Sequence, residues 1–600
     1  MAEYTPRFST LMEVYRHSVE QHRDRPFLGD KRDGTWHWMT FGDFAAEVDK
    51  TRGGLALLGV TRGDRVAIIA NNSVGWAVAA YAAYGLGAAV VPMYESQLQR
   101  EWRYILADCG AKAVVVADTG IRDTVAGFQD ELPDLAHIVV IGGGGPDSLA
   151  ALKDRGAAAP HDIADIAPTD IAGFIYTSGT TGKPKGVLLT HANLANNVSA
   201  LVDVFPLVPE DRSLAFLPWA HSFGQTVELH TAIGIGFSIA LAESIPKLTD
   251  NLAEVRPTVL ISVPRIFNRI YDGLHLLMAE EGGIKKVIFD AAIASETRRR
   301  AAAKRGTRSI VGDLLHPLYD RLVFNTVRKR FGGRLKYAFS GGAALSLNVA
   351  EFIDNLGITV YEGYGLTETS PVVTANHPGH RKMGSVGRAL PGIEVSIDTV
   401  PTGDPVDGEI VVHGHCVMKG YHNLPEEDAA VFTADRGFRT GDIGHLDEDG
   451  YLFVTGRVKE QYKLENGKYV VPTPIEEQLR LSPFITNMMV YGANRPYNVG
   501  LVVPNFEVLS KWAREQGIDA AVDELLDDPR VEELIRREME TLSREIRPYE
   551  RIKKFALISE DFTTDNGMLT PSLKVIRREV LKRYEDNIEH LYEKADVDDD

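Results

Sequence analysis

The sequence predicts a mixed α/β fold in which stacked, largely parallel sheets are flanked by helices. Short apolar runs alternate with helical patterns: residues 65–70 predict a strand, residues 74–86 a helix and residues 88–92 the next strand. Such alternation is typical of parallel sheets that are covered on both faces. The chain has 600 residues, of which 44% are hydrophobic and 25% charged, so it can form several subdomains with sizeable cores.

Further helices and strands are predicted from the spacing of apolar residues. Apolar spacing in residues 9–59 predicts amphipathic helices around a short strand at 35–39. Two runs of small and branched apolar residues, at 113–117 and 137–141, predict further buried strands. Residues 213–225 predict a strand that enters a loop carrying Trp219 and His221.

Charge and cysteine content restrict the function classes. The net charge of −18 argues against a nucleic acid partner, and an anionic substrate would have to be attracted by local cations. Cys109 and Cys416 form no metal or disulfide pattern, which favours a reduced, cytoplasmic setting. The N-terminus lacks the features of a signal peptide, and no stretch predicts a membrane-spanning helix. We therefore expect at most peripheral contact with the inner face of a membrane; a homodimer is left open.

The stretch from Tyr176 to Gly186, YTSGTTGKPKG, predicts a phosphate-binding loop between two strands. Small and hydroxyl residues allow a tight bend in which backbone N–H groups point at an anion. Lys183 and Lys185 follow, where their charges can meet the outer phosphates of a nucleotide. Pro184 argues against the helix that follows a Walker A loop, so we expect strand, loop, strand. The loop positions, which we call the signature loop, are Thr177, Ser178, Gly179, Thr180, Thr181 and Gly182.

This stretch resembles the signature of the adenylate-forming superfamily, which includes acyl-CoA synthetases, peptide-synthetase adenylation domains and luciferases. SVPRIFNRIYD, DRLVFNTVRKRFGGRLKYAFSGGAAL and EGYGLTETS narrow the resemblance to long-chain fatty acyl-CoA synthetases, over nearly the whole chain. The resemblance implies a large N-terminal domain, residues 1–456, and a small α+β C-terminal domain, residues 457–600, that rotates about a hinge at Lys459. It also implies small-molecule substrates: ATP with Mg²⁺ activates a fatty acid as an acyl-adenylate, and coenzyme A then accepts the acyl group.

Two segments are predicted to bind the nucleotide. FSGGAA places Gly341 and Gly342 after a strand, where a planar base can lie against bare backbone. In YEGYGLTET, Tyr364 can stack on adenine and Thr367 can meet the α-phosphate. We assign the neighbouring residues of this segment to the same site: Glu362, Gly363 and Gly365.

Glu368 is an acid among phosphate-binding residues, and a cation must offset its charge there. Mg²⁺ ligation supplies that cation. In the family the matching glutamate holds the metal with the help of a threonine that aligns with Thr177.

Asp442 and Arg457 are predicted to bind the ribose. Asp442 follows a Thr-Gly turn in FRTGD, and an acid beside a nucleotide can accept hydrogen bonds from both ribose hydroxyls. Arg457, in TGRVK, resembles the arginine that the family places at the ribose and phosphate.

The resemblance gives the C-terminal domain two functional faces. One presents Lys574, in GMLTPSLKVIRREV, to the adenylation site. The other presents the loop from Lys463 to Gly467, which lines the pantetheine path in relatives. YKLENGKYVVPTPIEE departs from the family pattern at Tyr462, in loop length and at Pro474, so the CoA contacts are less firmly predicted than the ATP contacts.

Residues 312–335 predict one amphipathic helix. Its apolar face comprises Leu315, Leu318, Leu322, Val323, Val327 and Phe331, and basic residues cluster around the other: Arg321, Arg328, Lys329, Arg330 and Arg334. We interpret the basic side as a solvated face; a site for anionic lipid headgroups or CoA phosphates is the alternative.

Other readings predict different features. His221 is either a structural histidine or, as in the superfamily, part of the acyl pocket wall beside the reacting carboxylate.

A module that loads a carrier protein would need an appended carrier domain, and the chain after Lys574 is too short for one. Amino acid activation would need a pocket carboxylate, which SLAFLPWAHSFGQ lacks. A ligase for medium-chain or aryl acids stays open, whereas a protein that only binds nucleotide is disfavoured by Glu368 and Lys574.

Overall fold

The computed structural model describes residues 4–177, 183–466, 468–518, 520–544, 546–570 and 574–593. Among these residues, two large sheets, of seven and nine strands, precede a four-stranded antiparallel sheet and two small C-terminal sheets. The predicted mixed α/β fold, with a large N-terminal part and a smaller α+β C-terminal part, is confirmed.

The helices and strands follow one another along the chain in this order. Up to residue 177 they are α1 (Leu11–His22), β1 (Pro26–Arg32), β2 (Thr35–Thr40), α2 (Phe41–Leu57), β3 (Arg65–Ile69), α3 (Val74–Gly85), β4 (Ala89–Met93), α4 (Gln99–Cys109), β5 (Ala113–Val116), α5 (Thr119–Ala126), a 3₁₀ turn (Gln129–Glu131), β6 (His137–Val140), α6 (Leu149–Ala158) and β7 (Ile171–Thr177).

From residue 185 to residue 375 the elements are β8 (Lys185–Thr190), α7 (His191–Val204), β9 (Arg212–Ala215), a first π-helical segment (Gly224–His230), α8 (Thr231–Ile235), β10 (Ser238–Leu241), α9 (Leu248–Val255), β11 (Val259–Ser262), α10 (Pro264–Glu281), α11 (Gly283–Lys304), α12 (Ile310–Tyr319), a second π-helical segment (Asp320–Phe324), α13 (Asn325–Arg330), β12 (Tyr337–Ser340), α14 (Leu347–Asn355), β13 (Val360–Gly365), a 3₁₀ turn (Thr367–Thr369) and β14 (Val372–Ala375).

The remaining elements are β15 (Arg388–Ala389), β16 (Ile393–Asp398), β17 (Gly408–Gly414), β18 (Gly420–Tyr421), α15 (Pro425–Val431), β19 (Phe438–Leu446), β20 (Leu452–Arg457), β21 (Tyr462–Lys463), β22 (Tyr469–Val470), α16 (Pro472–Leu479), β23 (Ile485–Tyr491), β24 (Asn498–Pro504), α17 (Phe506–Glu515), α18 (Val522–Leu525), α19 (Pro529–Leu542), β25 (Ile552–Leu557), α20 (Arg577–Arg583) and α21 (Glu585–Glu593).

The seven-stranded sheet has the order β18-β8-β7-β4-β3-β5-β6 and is parallel from β7 to β6. The sequence of strand β3 is apolar from Val66 onward because both of its faces are buried there. Val66 and Ile68 belong to the core on one face of the sheet, and Ala67 and Ile69 to the core on the other. Because both faces are covered by helices, no polar alternation is needed.

The nine-stranded sheet has the order β15-β14-β13-β12-β11-β9-β10-β1-β2. It is parallel from β13 to β1, and β2, β14 and β15 run antiparallel to their neighbours at the two edges. The carboxyl ends of β12 and β13 therefore meet at one edge, and both carry residues predicted to bind nucleotide. Ligands of open parallel sheets commonly bind at this edge.

The helix predicted over residues 312–335 is present over residues 310–330. The second π-helical segment joins α12 to α13 without a break, and residues 331–335 lie beyond the helix. Val323, Val327 and Phe331 are buried as expected, but Leu318 and Leu322 are 52% and 53% exposed.

The C-terminal part packs against the N-terminal part. Its sheet has the order β23-β24-β25, and Leu481 and Leu542 beside it join an apolar cluster that includes Phe267 of α10. Between the two parts, residues 458–461 form a turn in which the Val458 N–H donates to the Gly441 carbonyl at 2.8 Å.

In the part of the chain that the structure describes, no helix combines the length and apolar character needed to cross a bilayer.

Candidate active site

Asp442 lies at the centre of the candidate site. Tyr364 Oη donates a hydrogen bond to Asp442 Oδ2 at 2.8 Å, and Arg457 Nε lies 2.8 Å from Asp442 Oδ1. Strands β19 and β20 pair antiparallel with Asp442 directly opposite Arg457, so the local hairpin register brings the two charges together. Asp442 is 4% exposed, and this burial raises its pKa while the Arg457 guanidinium opposes the rise.

Glu368 lies in the 3₁₀ turn that follows β13. Tyr421 Oη donates to Glu368 Oε1 at 2.9 Å, and Tyr421 belongs to β18, which pairs with β8. The preceding residue, Thr367, is buried, and its hydroxyl lies 3.1 Å from Ser222 Oγ. These contacts attach the Glu368 turn to the strand that follows the signature loop and to the loop that carries Ser222.

The signature loop is framed as predicted, but most of it lies outside the described residues. Strands β7 and β8 are antiparallel neighbours with Thr177 opposite Lys185, so the predicted strand, loop, strand arrangement holds on both sides. Lys183 lies 5.2 Å from the centre of the Tyr104 ring, and Lys185 Nζ lies 2.6 Å from Glu427 Oε2. The structure does not describe five predicted phosphate-binding residues: Ser178, Gly179, Thr180, Thr181 and Gly182.

Lys574 of the C-terminal part faces the Asp442 cluster. The residue is exposed to solvent, and its charge interacts with those of Arg457, Asp442 and Glu368. Partial loss of water, followed by the nearby Arg457 guanidinium, lowers the pKa of Lys574, while Asp442 and Glu368 act in the opposite direction. A short antiparallel bridge pairs Leu569 with Val575, the residue after Lys574. Lys574 thus adds an ammonium group to a site where two acids and one guanidinium already interact.

A buried ion pair anchors the segment that carries Lys574. Arg577 Nη1 and Nη2 lie 2.7 Å and 2.6 Å from the two carboxylate oxygens of Glu476. Arg577 also donates to Thr473 Oγ1 at 3.2 Å, and the Thr473 hydroxyl donates to Glu460 at 2.6 Å. Since Glu460 lies in the turn after Arg457, this network connects that turn to the Lys574 segment. The sequence analysis did not identify this network, since its members lie about a hundred residues apart.

An apolar pocket opens beside the site. Its cavity volume is about 70 Å³, and His221, Ser222 and Phe223 form part of its wall. Among the described residues that line it there is no Asp, Glu, Lys or Arg. The predicted residues along its wall are His221, Gly341, Gly342, Gly363, Tyr364 and Gly365. The pocket is therefore suited to an uncharged group rather than to an ammonium ion.

Two details of the pocket wall follow from burial. A Cβ atom at Gly341 would lie 3.0 Å from the Phe223 ring, so the absence of a side chain lets this ring pack on the β12 edge. Burial, together with the Lys574 charge, lowers the pKa of His221 to about 4, so its imidazole is neutral at pH 7. The Phe223 N–H donates to His221 Nδ1 at 3.1 Å, which leaves Nε2 as the N–H tautomer position.

Several lining residues escaped the sequence analysis. They come from distant elements: Leu201, Phe205, Leu207, Val227, Phe237, Val259, Ile261 and Phe339. Each looks like an ordinary core residue in its own stretch, and only the packing of α7 and the first π-helical segment against the nine-stranded sheet brings them together.

Three other predicted residues lie in β13, in the turn after β20 and in β21. Glu362 is in β13, and burial raises the pKa of its carboxyl group to about 7. Lys459 is exposed in the turn after β20, and Lys463 is exposed in β21, opposite Tyr469. Gly467 lies outside the described residues.

The residues present fit a Mg²⁺ ion that is held mainly by substrate. The Tyr421 hydroxyl donates a hydrogen bond to Glu368 Oε1, and Oε2 has no hydrogen-bond donor among the described residues. Within the same residues, no three His, Cys, Asp or Glu converge into a metal site. Mg²⁺ typically binds one or two carboxylates and takes its other ligands from phosphates and water, so a single available carboxylate suffices.

The α/β body carries a cluster of Asp442, Arg457 and Glu368, and a lysine of the smaller C-terminal part lies opposite it. This combination defines an adenylate-forming enzyme. The chain belongs to the AMP-binding enzyme family: the family model matches residues 15–422, and the model of the AMP-binding enzyme C-terminal domain matches residues 459–596.

Individual relatives extend over nearly the full length. The chain is 35% identical over 575 residues to long-chain-fatty-acid–CoA ligase FadD15 of Mycobacterium bovis, which covers 94% of this chain and 93% of that protein. It is 32% identical over 620 residues to peroxisomal long chain acyl-CoA synthetase 7 of Arabidopsis thaliana, covering 98% and 87%. The adenylation domain of the carboxylate reductase from Mycobacterium chelonae has a TM-score of 0.80 at 22% identity, covering 98% and 92%. This last likeness supports the fold alone.

Proposed function

We propose that this chain is an ATP-dependent long-chain fatty acid–CoA ligase. The fatty acid carboxylate attacks the α-phosphorus of ATP, the bond to the β-phosphate breaks, and pyrophosphate leaves. The thiolate of coenzyme A then attacks the acyl carbon, the bond to AMP breaks, and acyl-CoA and AMP are released. Support comes from the curated relatives, which are named as fatty acid–CoA ligases or acyl-CoA synthetases over nearly the whole chain.

The observation that carries the proposal is the uncharged pocket beside the charged cluster. An acyl chain gains free energy when it leaves water for an apolar wall, at about 0.8 kcal/mol per buried methylene group. An amino acid would place its ammonium group against lining residues that offer no carboxylate. The pocket thus favours a fatty acid over an aminoacyl substrate.

The chain's own groups account for binding and charge compensation. The signature loop, with Lys183, cradles the phosphates, and Asp442 accepts hydrogen bonds from the ribose while Arg457 orients it. Lys574 and Thr367 meet the α-phosphate, where negative charge concentrates as the new bond forms. Glu368, with Thr177, would hold Mg²⁺, which supplies positive charge to the phosphate oxygens when bound.

The adenine portion is assigned to the β12 and β13 edge. Tyr364 stacks on the base, and the backbone that contacts it is supplied by the remaining predicted residues: Gly341, Gly342, Glu362, Gly363 and Gly365. His221, neutral at pH 7, forms the wall where the carboxylate enters, so it adds no charge that would trap the acid.

The two half-reactions are assigned to two orientations of the C-terminal domain. In this proposal residues 457–600 rotate on residues 1–456 about Lys459. The present arrangement, with Lys574 toward Asp442, serves adenylate formation. In the second orientation the loop from Lys463 to Gly467 lines the path of the CoA arm. Alternating faces keep water away from the reactive acyl-adenylate.

We assign the protein to the cytoplasm. Cys109 and Cys416 are both buried free thiols, and burial raises the pKa of each to about 12, so neither is a ready nucleophile or disulfide partner. These thiols are compatible with a reducing compartment.

The test is AMP release with ATP, CoA and a series of fatty acids from short to very long. We expect the ratio kcat/KM to rise with chain length into the long-chain range. The variant Val227→Trp, which fills the pocket wall, should shift the preference to shorter acids, whereas Val287→Trp on exposed α11 should not. Equal rates for all lengths, or AMP release only with an amino acid or aryl acid, would refute the proposal.

A further inference from the structure

An exposed apolar ridge runs along α12 and into the second π-helical segment. Ile310, Leu314, Leu318 and Leu322 follow one another at intervals of four residues and are 81%, 77%, 52% and 53% exposed. Val311, beside them, is 68% exposed. Residues four apart lie on the same side of a helix, so these side chains form one continuous ridge, which we call the α12 ridge.

The ridge faces away from the protein because the opposite side of α12 packs on α11. Gly312 approaches Arg299, and His316 Nδ1 lies 3.0 Å from Glu296 Oε2. Later residues of α12 thus meet earlier residues of α11, so the two helices are antiparallel. Both contacts involve the side of α12 opposite Leu314. A surface helix usually turns its apolar side toward the protein, whereas α12 turns this apolar side toward solvent.

The surroundings of the ridge are strongly basic. Residues 283–330 contain twelve Lys and Arg but four Asp and Glu, a net charge of +8 in a chain of −18. Three of the four acids are paired: Asp290 with Lys286, Glu296 with Arg299 and Arg300, and Asp320 with Arg328.

Several of the basic residues are free to meet a partner. Arg305, Arg308, Arg321 and Lys329 are exposed, and none of them has an ion-pair partner among the described residues. Arg308 lies two residues before the ridge and Arg321 lies near its other end, so cations lie at both ends of the ridge, with Asp313 between them.

We propose that the α12 ridge docks on an anionic lipid surface. The leucine side chains enter the boundary between headgroups and acyl chains, and the flanking arginines and Lys329 contact the lipid phosphates. A second copy of this chain is the other possible occupant, but a symmetric contact would oppose two surfaces of the same positive sign. Docking through the α12 ridge does not depend on the proposed ligase activity.

The experiment is flotation of the full-length protein with phosphatidylcholine vesicles, with or without phosphatidylglycerol. We expect binding that requires the anionic lipid and weakens as salt is added. Leu314→Asp with Leu318→Asp should lower the partition coefficient by about tenfold or more. Arg305→Gln and Arg308→Gln should each lower it by about fivefold, the equivalent of about 1 kcal/mol per charge.

Matched variants separate docking from folding and self-association. Val400→Asp changes a valine that is 87% exposed outside this region and should leave the partition coefficient unchanged. Thermal unfolding of every variant should match the unchanged protein, because the substituted side chains make few contacts. The proposal is overturned if the unchanged protein binds neither vesicle, if the double Leu variant binds as well as it does, or if sedimentation shows a dimer that this variant abolishes.

Discussion

Replacing Lys574 with alanine tests the assignment of the C-terminal domain most directly. Lys574 is the cation that the C-terminal part brings to Asp442 and Glu368, and its lowered pKa follows from partial loss of water and from Arg457. One preorganised group that stabilises a developing anion is worth about 10² to 10³ in rate. We therefore expect Lys574→Ala to reduce adenylate formation by at least about two orders of magnitude. Since the second half-reaction uses the other face, conversion of presynthesised acyl-adenylate and CoA to thioester should be retained.

The assay measures each half-reaction separately. Exchange of labelled pyrophosphate into ATP reports adenylate formation, and thioester release from added acyl-adenylate reports the second step. Lys582→Ala, an exposed lysine on the neighbouring helix α20, is the matched control and should leave both rates unchanged. Equal losses in both half-reactions for Lys574→Ala would refute the assignment of two faces.

Three further predictions concern the metal, the ribose site and acid stability. Glu368→Gln removes the available carboxylate, so the Mg²⁺ concentration for half-maximal rate should rise; an unchanged titration would exclude Glu368 from the metal site. Asp442→Asn replaces one of the two acceptor oxygens with an NH2 donor and removes the charge that pairs with Arg457, so ATP affinity measured by calorimetry should fall by at least about tenfold, with a loss of about 1–3 kcal/mol in the free energy of unfolding; full affinity would contradict the ribose assignment. Burial lowers the pKa of His191 to about 4, below its unfolded value of 6.5. The unfolded chain therefore binds more protons below pH 6.5, and the free energy of unfolding should fall by up to about 3 kcal/mol as pH drops toward 4. His191→Phe should remove that part of the slope in urea titrations, and an unaltered slope would show that His191 is not held neutral.

Local residues made part of the site predictable. The strands on both sides of the signature loop followed from apolar runs interrupted by small residues and a proline, and the pairing of Thr177 with Lys185 agrees. Asp442 and Arg457 lie on adjacent strands of one hairpin, so their contact depends on a short stretch of chain. The fold class and the family resemblance were confirmed, whereas the roles assigned to individual residues stay predictions.

The failures came from places where distant packing decides. Apolar spacing in residues 312–335 predicted one apolar helix face, but Leu318 and Leu322 are exposed while Val323 and Val327 are buried, because local spacing does not show which side of a helix the rest of the chain covers. The anchor of Arg577 on Glu476 joins residues about a hundred positions apart, and neither residue signals the other in the sequence.

The sequence by itself determined the chemistry available to this protein: a loop of small residues for phosphates, acids and lysines in a recognisable order, and alternating strands and helices. Those properties are encoded within a few residues of one another, because backbone freedom, side-chain charge and hydrophobic period are local. Only the tertiary structure decided that Lys574 faces Asp442, that the pocket wall is free of charge, and that the α12 ridge points outward. Each of these depends on which surfaces the helices bury, and burial is a property of the whole packed chain.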